Sequence, residues 1–389
     1  MAPREWDAMR IMSRAESIAA FVLLTLLTIP MNSRAAEATY AGGIGEIVEM
    51  RCLQCHRQGG VAPMSFMTFA DLRRWSRESY TPLDALLKTR AMPPWPADPT
   101  VGSFSNAEFI PQSEIDLLLA WIEAGYPRGT GEYAAPEEQL GSWAIGEPDA
   151  VFELPEYTVP EVVAAEYKTF EIATDFPQDR FVAAAELRRG NDYAVYAVDA
   201  GPLAAFTPGH YSVAYPEGRA RRLPKGATLS VSVRYRKDEG VVETDQSAIA
   251  LRFVDEATVM EVAPMRAEPF TIPAGKAGFE VRSRYVFEAD SEVVSLQPIL
   301  RERGMSVRYQ ASFPDGSART LLSIPAWNPM WQYTYWFATP IAVPKGTAIT
   351  ATAIFDNSEA NLKNPDPWSD VSVGADGEIF EGRLGYTKR

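Results

Sequence analysis

The sequence predicts a multidomain chain, a small all-α module followed by two tandem antiparallel, jelly-roll-like β-sandwiches. Three observations carry this. Residues 43–130 show helical spacing and helix-start signals. After about residue 145 the chain alternates with period two between Pro, Gly, Asp and Asn. "LPKGATLSVSVRY" (223–235) also recurs as "VPKGTAITATAIF" (343–355), at an offset of 120 residues. A length of 389 residues suits two or three domains.

The N-terminus reads as a signal peptide over residues 1–38. Arg10 and Arg14 form the positive n-region, and "SIAAFVLLTLLTIP" (17–30) the apolar h-region. Ser33-Arg34-Ala35 or Ala36-Glu37-Ala38 supplies the small-x-small cleavage site. The apolar run is short for a bilayer, so no transmembrane span is expected in the mature form. Export to the periplasm or the extracellular space is expected, with an uncleaved N-terminal anchor as the alternative. Met9 and Met12 are alternative starts.

Residues 39–130 form the predicted helical domain. In "GGIGEIVEMRCLQCH", Ile44, Ile47, Val48 and Cys52 share one helical face. Thr81-Pro82-Leu83-Asp84 reads as an N-cap with Pro at the first helical position. Ser113-Glu114-Ile115-Asp116 opens "EIDLLLAWIEAG", and Gly125 is the expected stop. Between them lies a proline-rich loop, "AMPPWPADPTVGSFSN". The polar stretch "GTGEYAAPEEQLGS" marks a linker over 131–144.

The β region divides into 145–265 and 266–389. Its strands include "DRFVAAAELRRGNDYAVYAVDA", "ATLSVSVRYRK", "QSAIALRFVD", "MSVRYQASFPDGSARTLLSIP" and "YWFATPIAVPKGTAITATAIFDN". "FPDGS" is a hairpin turn by its Asp-Gly. A load of 30 prolines and 26 glycines leans the same way. The net charge of −14 argues against nucleic acid and anionic membrane surfaces as partners.

Cys52, Cys55 and His56 spell C-x-x-C-H, the attachment motif of c-type haem. They are the only cysteines, and His210 is the only other histidine, so neither a structural disulfide nor a four-ligand zinc site is available. The reading is one haem c, tethered by Cys52 and Cys55, with His56 as proximal axial ligand. Met92, 36 residues after His56 in the proline-rich loop, is the expected distal ligand. Met64 and Met67 follow too closely to cross to the far face and are read as pocket packing, and Trp95 and Trp121 as pocket walls. Short helices around one such motif have the economy of a class I cytochrome c. His210 reads as a loop histidine beside a Pro-Gly turn, with a weak metal site or distal ligation of the haem as alternatives.

"CLQCHRQGGVAPMSFMTF", "TRAMPPWPADPTVGSFSN" and "LLLAWIEAGYPRG" together resemble an exported cytochrome c module of bacterial multidomain proteins. "SWAIGEPDAVFELPE", "DRFVAAAELRRGN", "VVSLQPILRERG", "WNPMWQYTYWFATPIAVPKGT" and "FDNSEANLKNPDP" resemble the double β-sandwich of copper type II, ascorbate-dependent monooxygenases, the peptidylglycine and dopamine monooxygenase family. The resemblance spans about residues 44–367. It implies two separated copper ions, one held by three His and one by two His and a Met. The positions where it places histidine read Tyr196, Ala197, Arg234, Ile299, Arg301 and Ile354 here, and no Met is found near Ile379. One histidine outside the haem motif cannot supply five imidazoles, so copper is not expected and no catalytic residue is assigned.

The expected function is electron transfer by an exported monohaem cytochrome, with a copper-free monooxygenase-like region as docking or assembly module. Its partner is then a redox protein, alone or within a larger complex. The alternatives are an oxidoreductase or monooxygenase using copper or another cofactor, fed by the haem, and a structural subunit of a larger redox complex.

Overall fold

The computed structural model describes residues 38–57, 62, 64–131, 133, 143–206, 212–237, 240–329, 331–374 and 377–389. The predicted signal peptide up to residue 37, most of the linker and His210 lie outside the described residues. Ala38–Arg389 forms one compact unit. Among the described residues no helix is long and apolar enough to cross a membrane.

After a π-turn at Tyr40–Ile44 come α1 (Gly45–Arg51), α2 (Phe69–Glu78), α3 (Leu83–Lys88) and α4 (Gln112–Glu123). Local chemistry explains their ends. The Thr68 hydroxyl accepts from the Asp71 N–H at 3.1 Å, capping α2. Gly125, at φ 83°, turns the chain out of α4 where a side chain would strain it. Ile44, Val48, Leu72, Leu83, Leu87, Ile115, Leu118 and Trp121 close a small core between the helices.

The remaining chain forms two lobes, each of facing sheets. In the first, one sheet runs Ala150–Glu153, Ala248–Val254, Arg180–Arg188, Arg219–Leu223, Thr258–Val259. It faces Val163–Ala173, Thr228–Lys237, Val195–Asp199 and Ala205–Phe206 across a core holding Val182, Leu187, Val231, Val233 and Leu251. In the second, Glu261–Arg266, Phe380–Lys388, Ser291–Leu300 and Tyr335–Val343 face Phe279–Val286, Ala348–Phe355, Gly304–Ser312 and Ala318–Ile324. Their shared core includes Leu296, Val307, Tyr309, Leu322, Ala351 and Leu384. Strand Glu261–Arg266 pairs along Phe380–Lys388 and so belongs to the second lobe.

The Pro-Lys-Gly repeat has the same structural use in both lobes. The Lys225 N–H donates to Asp179 at 2.9 Å, and the Lys345 N–H to Asp290 at 2.8 Å. Gly226 (φ 61°) and Gly346 (φ 89°) then turn the chain into strands Thr228–Lys237 and Ala348–Phe355. Ion pairs tie lobe to lobe: Arg219 to Glu292 at 2.8 Å, Arg234 to Glu302 at 3.0 Å, and Arg383 to Asp199 at 2.8 Å.

The fold class expected from the sequence is corrected at its first member. Of the described residues 42% are strand and 12% helix, so the structure is mainly β. No all-α class I cytochrome c domain stands over 39–130: the described helices are short, the longest being the 12 residues of α4. The reason is the proline-rich loop. Only its start, Met92, Pro93 and Pro94, stays beside the helices; from Trp95 on it enters the second lobe, where Ala97 is part of the core and Trp95 and Phe104 pack against it. Backbone bonds fix this course. Asp98 N–H donates to Ser323 at 2.8 Å, Ser105 N–H to Trp336 at 2.8 Å, and Ala338 N–H to Ser103 at 2.9 Å.

Candidate functional site

Cys52, Cys55, His56 and Met92 line one cavity of about 450 Å³. Cys52 caps the C-terminal end of α1, and the turn after it brings Cys55 and His56 to the same wall: the His56 N–H donates to the Cys52 carbonyl at 2.8 Å. The helical segment adds Met64, Phe66, Trp75, Leu83, Leu87 and Ile110. Met92, Pro93 and Pro94 come from the start of the proline-rich loop. The opposite wall belongs to the β lobes: Arg189, Tyr193, Val195, Tyr196 and Phe206 from the first, Trp331 from the second.

His56 is held firmly. Its ring lies flat on Phe66, with centroids 4.1 Å apart and planes at 3°. Nδ1–H donates to the Met64 carbonyl at 3.2 Å, which leaves the Nε2 lone pair of the neutral imidazole without its own proton. Burial lowers the pKa of His56 below its ordinary value. The same desolvation pushes Cys52 and Cys55 up to about 12, so both thiols stay protonated at neutral pH. The charged lining residues are paired, Arg51 with Glu114 at 2.8 Å and Arg189 with Asp192 at 2.9 Å, so the site offers a largely apolar wall, two un-ionised thiols and a fixed, uncharged nitrogen base.

Haem c with His56 and Met92 on the iron is the second expectation corrected. The chain does not build the class I cytochrome fold that would enclose it, because the loop needed to close that module is engaged by the second lobe. Among the described residues no three His, Cys, Asp or Glu side chains converge to hold a metal ion. The motif residues and Met92 line one cavity, but the motif does not specify that fold.

Other sequence expectations are redistributed. Met64 does line the cavity, and Met67 packs on the helical core. Trp121 is fully buried in that core, its Nε1–H donating to the Pro127 carbonyl at 3.0 Å. Trp95 stacks on Tyr333 in the second lobe at 5.8 Å. The tryptophans on the cavity are instead Trp75 and Trp331. Phe66 was legible only as an aromatic in "APMSFM", and Tyr196, Phe206 and Trp331 carried no local signal for this wall.

A second cleft of about 290 Å³ lies where the two lobes meet. Tyr196, Ala197, Arg234, Ile299, Arg301 and Ile379 all face it, and Ile354 does not. Arg234 reaches Glu302 and lies over the rings of Tyr196 and Tyr167 at 5.1 and 5.5 Å. Arg301 lies over the same Tyr167 ring at 5.5 Å, and its Nη1–H donates to the Gly377 carbonyl at 2.6 Å. Tyr196 and Phe206 line both the cleft and the larger cavity.

No protein-family model matches the chain, and no curated protein matches it. Among solved structures, the chain is similar to the major capsid protein P2 of bacteriophage PM2 at 13% identity and TM-score 0.28, over 61% of this chain and 97% of that one. It is similar to infectious bursal disease virus, Gx strain, at 10% identity and TM-score 0.21, over 67% and 75%. It is also similar to the tandem CBM22-1-CBM22-2 domain of Paenibacillus barcinonensis Xyn10C, at 7% identity and TM-score 0.20, over 61% and 98%. At these scores the likeness fixes neither fold nor function.

Proposed function

We propose that the cavity bounded by Cys52, Cys55, His56 and Met92 is the working site of an exported electron-transfer protein, and that it takes a flat, largely apolar, redox-active ligand. One observation carries the reading. The cavity has the volume of a ligand site, and an apolar wall on which the only polar groups from the motif are an uncharged imidazole and two protonated thiols. Such a wall favours a large uncharged ring system over a sugar or a nucleotide. A series of aromatic contacts leading from the cavity into the second-lobe core supports the redox role: Trp331 on the cavity wall stacks on Tyr333 at 6.3 Å, Tyr333 on Trp95 at 5.8 Å, and Trp95 meets the buried Tyr335 at 5.3 Å. The two lobes, on this reading, descend from the monooxygenase-like pair that the sequence resembles and serve as the docking surface for a redox partner protein.

The experiment is intact-mass and absorption analysis of the protein purified from the envelope fraction of its own cells. The expected result is a mass above that of the processed chain under native conditions, together with an absorbing ligand that a Leu87→Trp substitution in the cavity displaces. The bare chain mass under native and denaturing conditions, with no absorbing ligand, would overturn the reading.

A further inference from the structure

We propose that the cleft between the two lobes is a binding site for a small organic carboxylate, gripped between Arg234 and Arg301. This site shares the wall of Tyr196 and Phe206 with the cavity assigned above, but its argument does not rest on that reading.

The argument starts from unsatisfied donors. Three buried donors of residues lining this one cleft have no hydrogen-bond partner among the described residues: Arg234 Nε, Arg301 Nε and Tyr196 Oη. A buried donor left unpaired is costly, and three around one space call for an acceptor-rich occupant. The donors come from both sides, Tyr196 and Arg234 from the first lobe and Arg301 from the second.

Charge points the same way. The lining holds Arg234, Arg301 and Arg383 against Asp199 and Glu381. Both carboxylates are engaged by Arg383, at 2.8 and 3.5 Å, and Glu381 also meets Arg266 at 3.4 Å. Glu302, beside the cleft, is taken by Arg234. Among the described residues this leaves the Arg301 guanidinium without a carboxylate ion pair, though its backbone N–H donates to Glu378. Arg234 and Arg301 both lie over the Tyr167 ring at 5.5 Å, Arg234 with Glu302 as its partner, so the Arg301 guanidinium is the charge an anion would neutralise.

The class of anion follows from the geometry. With Nη1 of Arg301 bonded to the Gly377 carbonyl, its buried Nε is the donor left to satisfy, and the planar fork of a guanidinium matches the two oxygens of a carboxylate better than a tetrahedral ion. The space of about 290 Å³ stands at the small end of ligand sites, and Ala197, Ile299 and Ile379 give it an apolar floor for a short carbon chain.

The test is calorimetric titration of the full chain with acetate, butyrate and sulfate as probes at pH 7. Saturable one-to-one binding of butyrate is expected, tighter than sulfate and weakened at least tenfold by Arg301→Gln and severalfold by Tyr196→Phe. Arg282→Gln, on an exposed strand face, leaves it unchanged. Should Arg301→Gln fail to fold by circular dichroism, Arg301→Lys keeps the charge without the fork, and weakened binding is again expected. The proposal is overturned if neither carboxylate saturates the wild-type chain, if sulfate binds more tightly than both, or if the Arg301 and Tyr196 variants bind butyrate as the wild type does.

Discussion

Replacing Trp95 with alanine tests whether the helical segment and the second lobe are one cooperative structure. The indole stacks on Tyr333 at 5.8 Å and 25°, and meets Tyr335 edge-on at 5.3 Å. A tryptophan side chain buries on the order of 200 Å², worth about 5 kcal/mol at about 25 cal/mol per Å² if fully covered. Trp95 is half-buried, so about 3 kcal/mol is the share lost by truncation, and the ring pairs add about 1 kcal/mol. The sum lies within the range measured for truncating large aromatics in cores. At about 2.1 cal/mol/K per residue over the unit Ala38–Arg389, ~4 kcal/mol corresponds to a fall in Tm of roughly 5 °C. Differential scanning calorimetry checks this, with far-ultraviolet circular dichroism reporting on the helices. A single transition is expected in the wild type, displaced as a whole in the variant. Two separate transitions, with the β transition unmoved by Trp95→Ala, would refute the reasoning.

Three further outcomes follow from the same structure. Burial lowers the His56 pKa, so the folded state holds fewer protons than the unfolded chain and loses stability as pH falls below 6.5; proton NMR, simple in a chain with two histidines, should show His56 titrating below 6.5 and moving upward in Phe66→Ala as water reaches the ring. Glu378 accepts from the Arg301, Ile379 and Arg303 N–H groups at 2.6, 3.0 and 3.1 Å, yet burial raises its pKa above 4.5, so its contribution to stability falls as pH rises from 4.5 through that raised value. Glu378→Gln should lose about 1–3 kcal/mol by turning a donor toward these donors, and urea midpoints compared across pH should show a flatter profile than the wild type. Gly226→Ala and Gly346→Ala each force a side chain into positive φ without a close steric clash, so each should cost about 1–2 kcal/mol by chemical denaturation, and their effects should add because they lie in different lobes.

What the sequence disclosed was local. Side-chain alternation is a property of neighbours, so "ATLSVSVRYRK" marks strand Thr228–Lys237 and "MSVRYQAS" marks most of Gly304–Ser312. Helix-start chemistry placed α4 within a residue of its first turn, and Gly125 marked its end. The course of the proline-rich loop was not legible, because its partners stand at Ser323, Trp336 and Ala338, more than two hundred residues away. That loop is what separates the expected class I cytochrome domain from the observed fold. The motif wall of the cavity was readable from Cys52, Cys55, His56 and Met92, whereas the wall made by Tyr196, Phe206 and Trp331 depends on lobe packing. Arg234 and Arg301 stood out singly in the sequence as cations at unexpected positions. Only the meeting of the lobes puts both on Tyr167.

The bonding of the proline-rich loop also sets an order for synthesis. The loop leaves the ribosome early, but Tyr333, whose hydroxyl donates to the Pro94 carbonyl at 3.0 Å, is made 239 residues later. At about 5–20 residues per second the nascent chain waits roughly 10–50 s before the loop finds its seat. During that interval Trp95 and Phe104 have no lobe to enter. The wall of the cavity made first is thus completed only after the second lobe has been made, and a polypeptide cut short before residue 333 would carry the Cys52–His56 motif without the Tyr333 bond that holds its proline-rich loop.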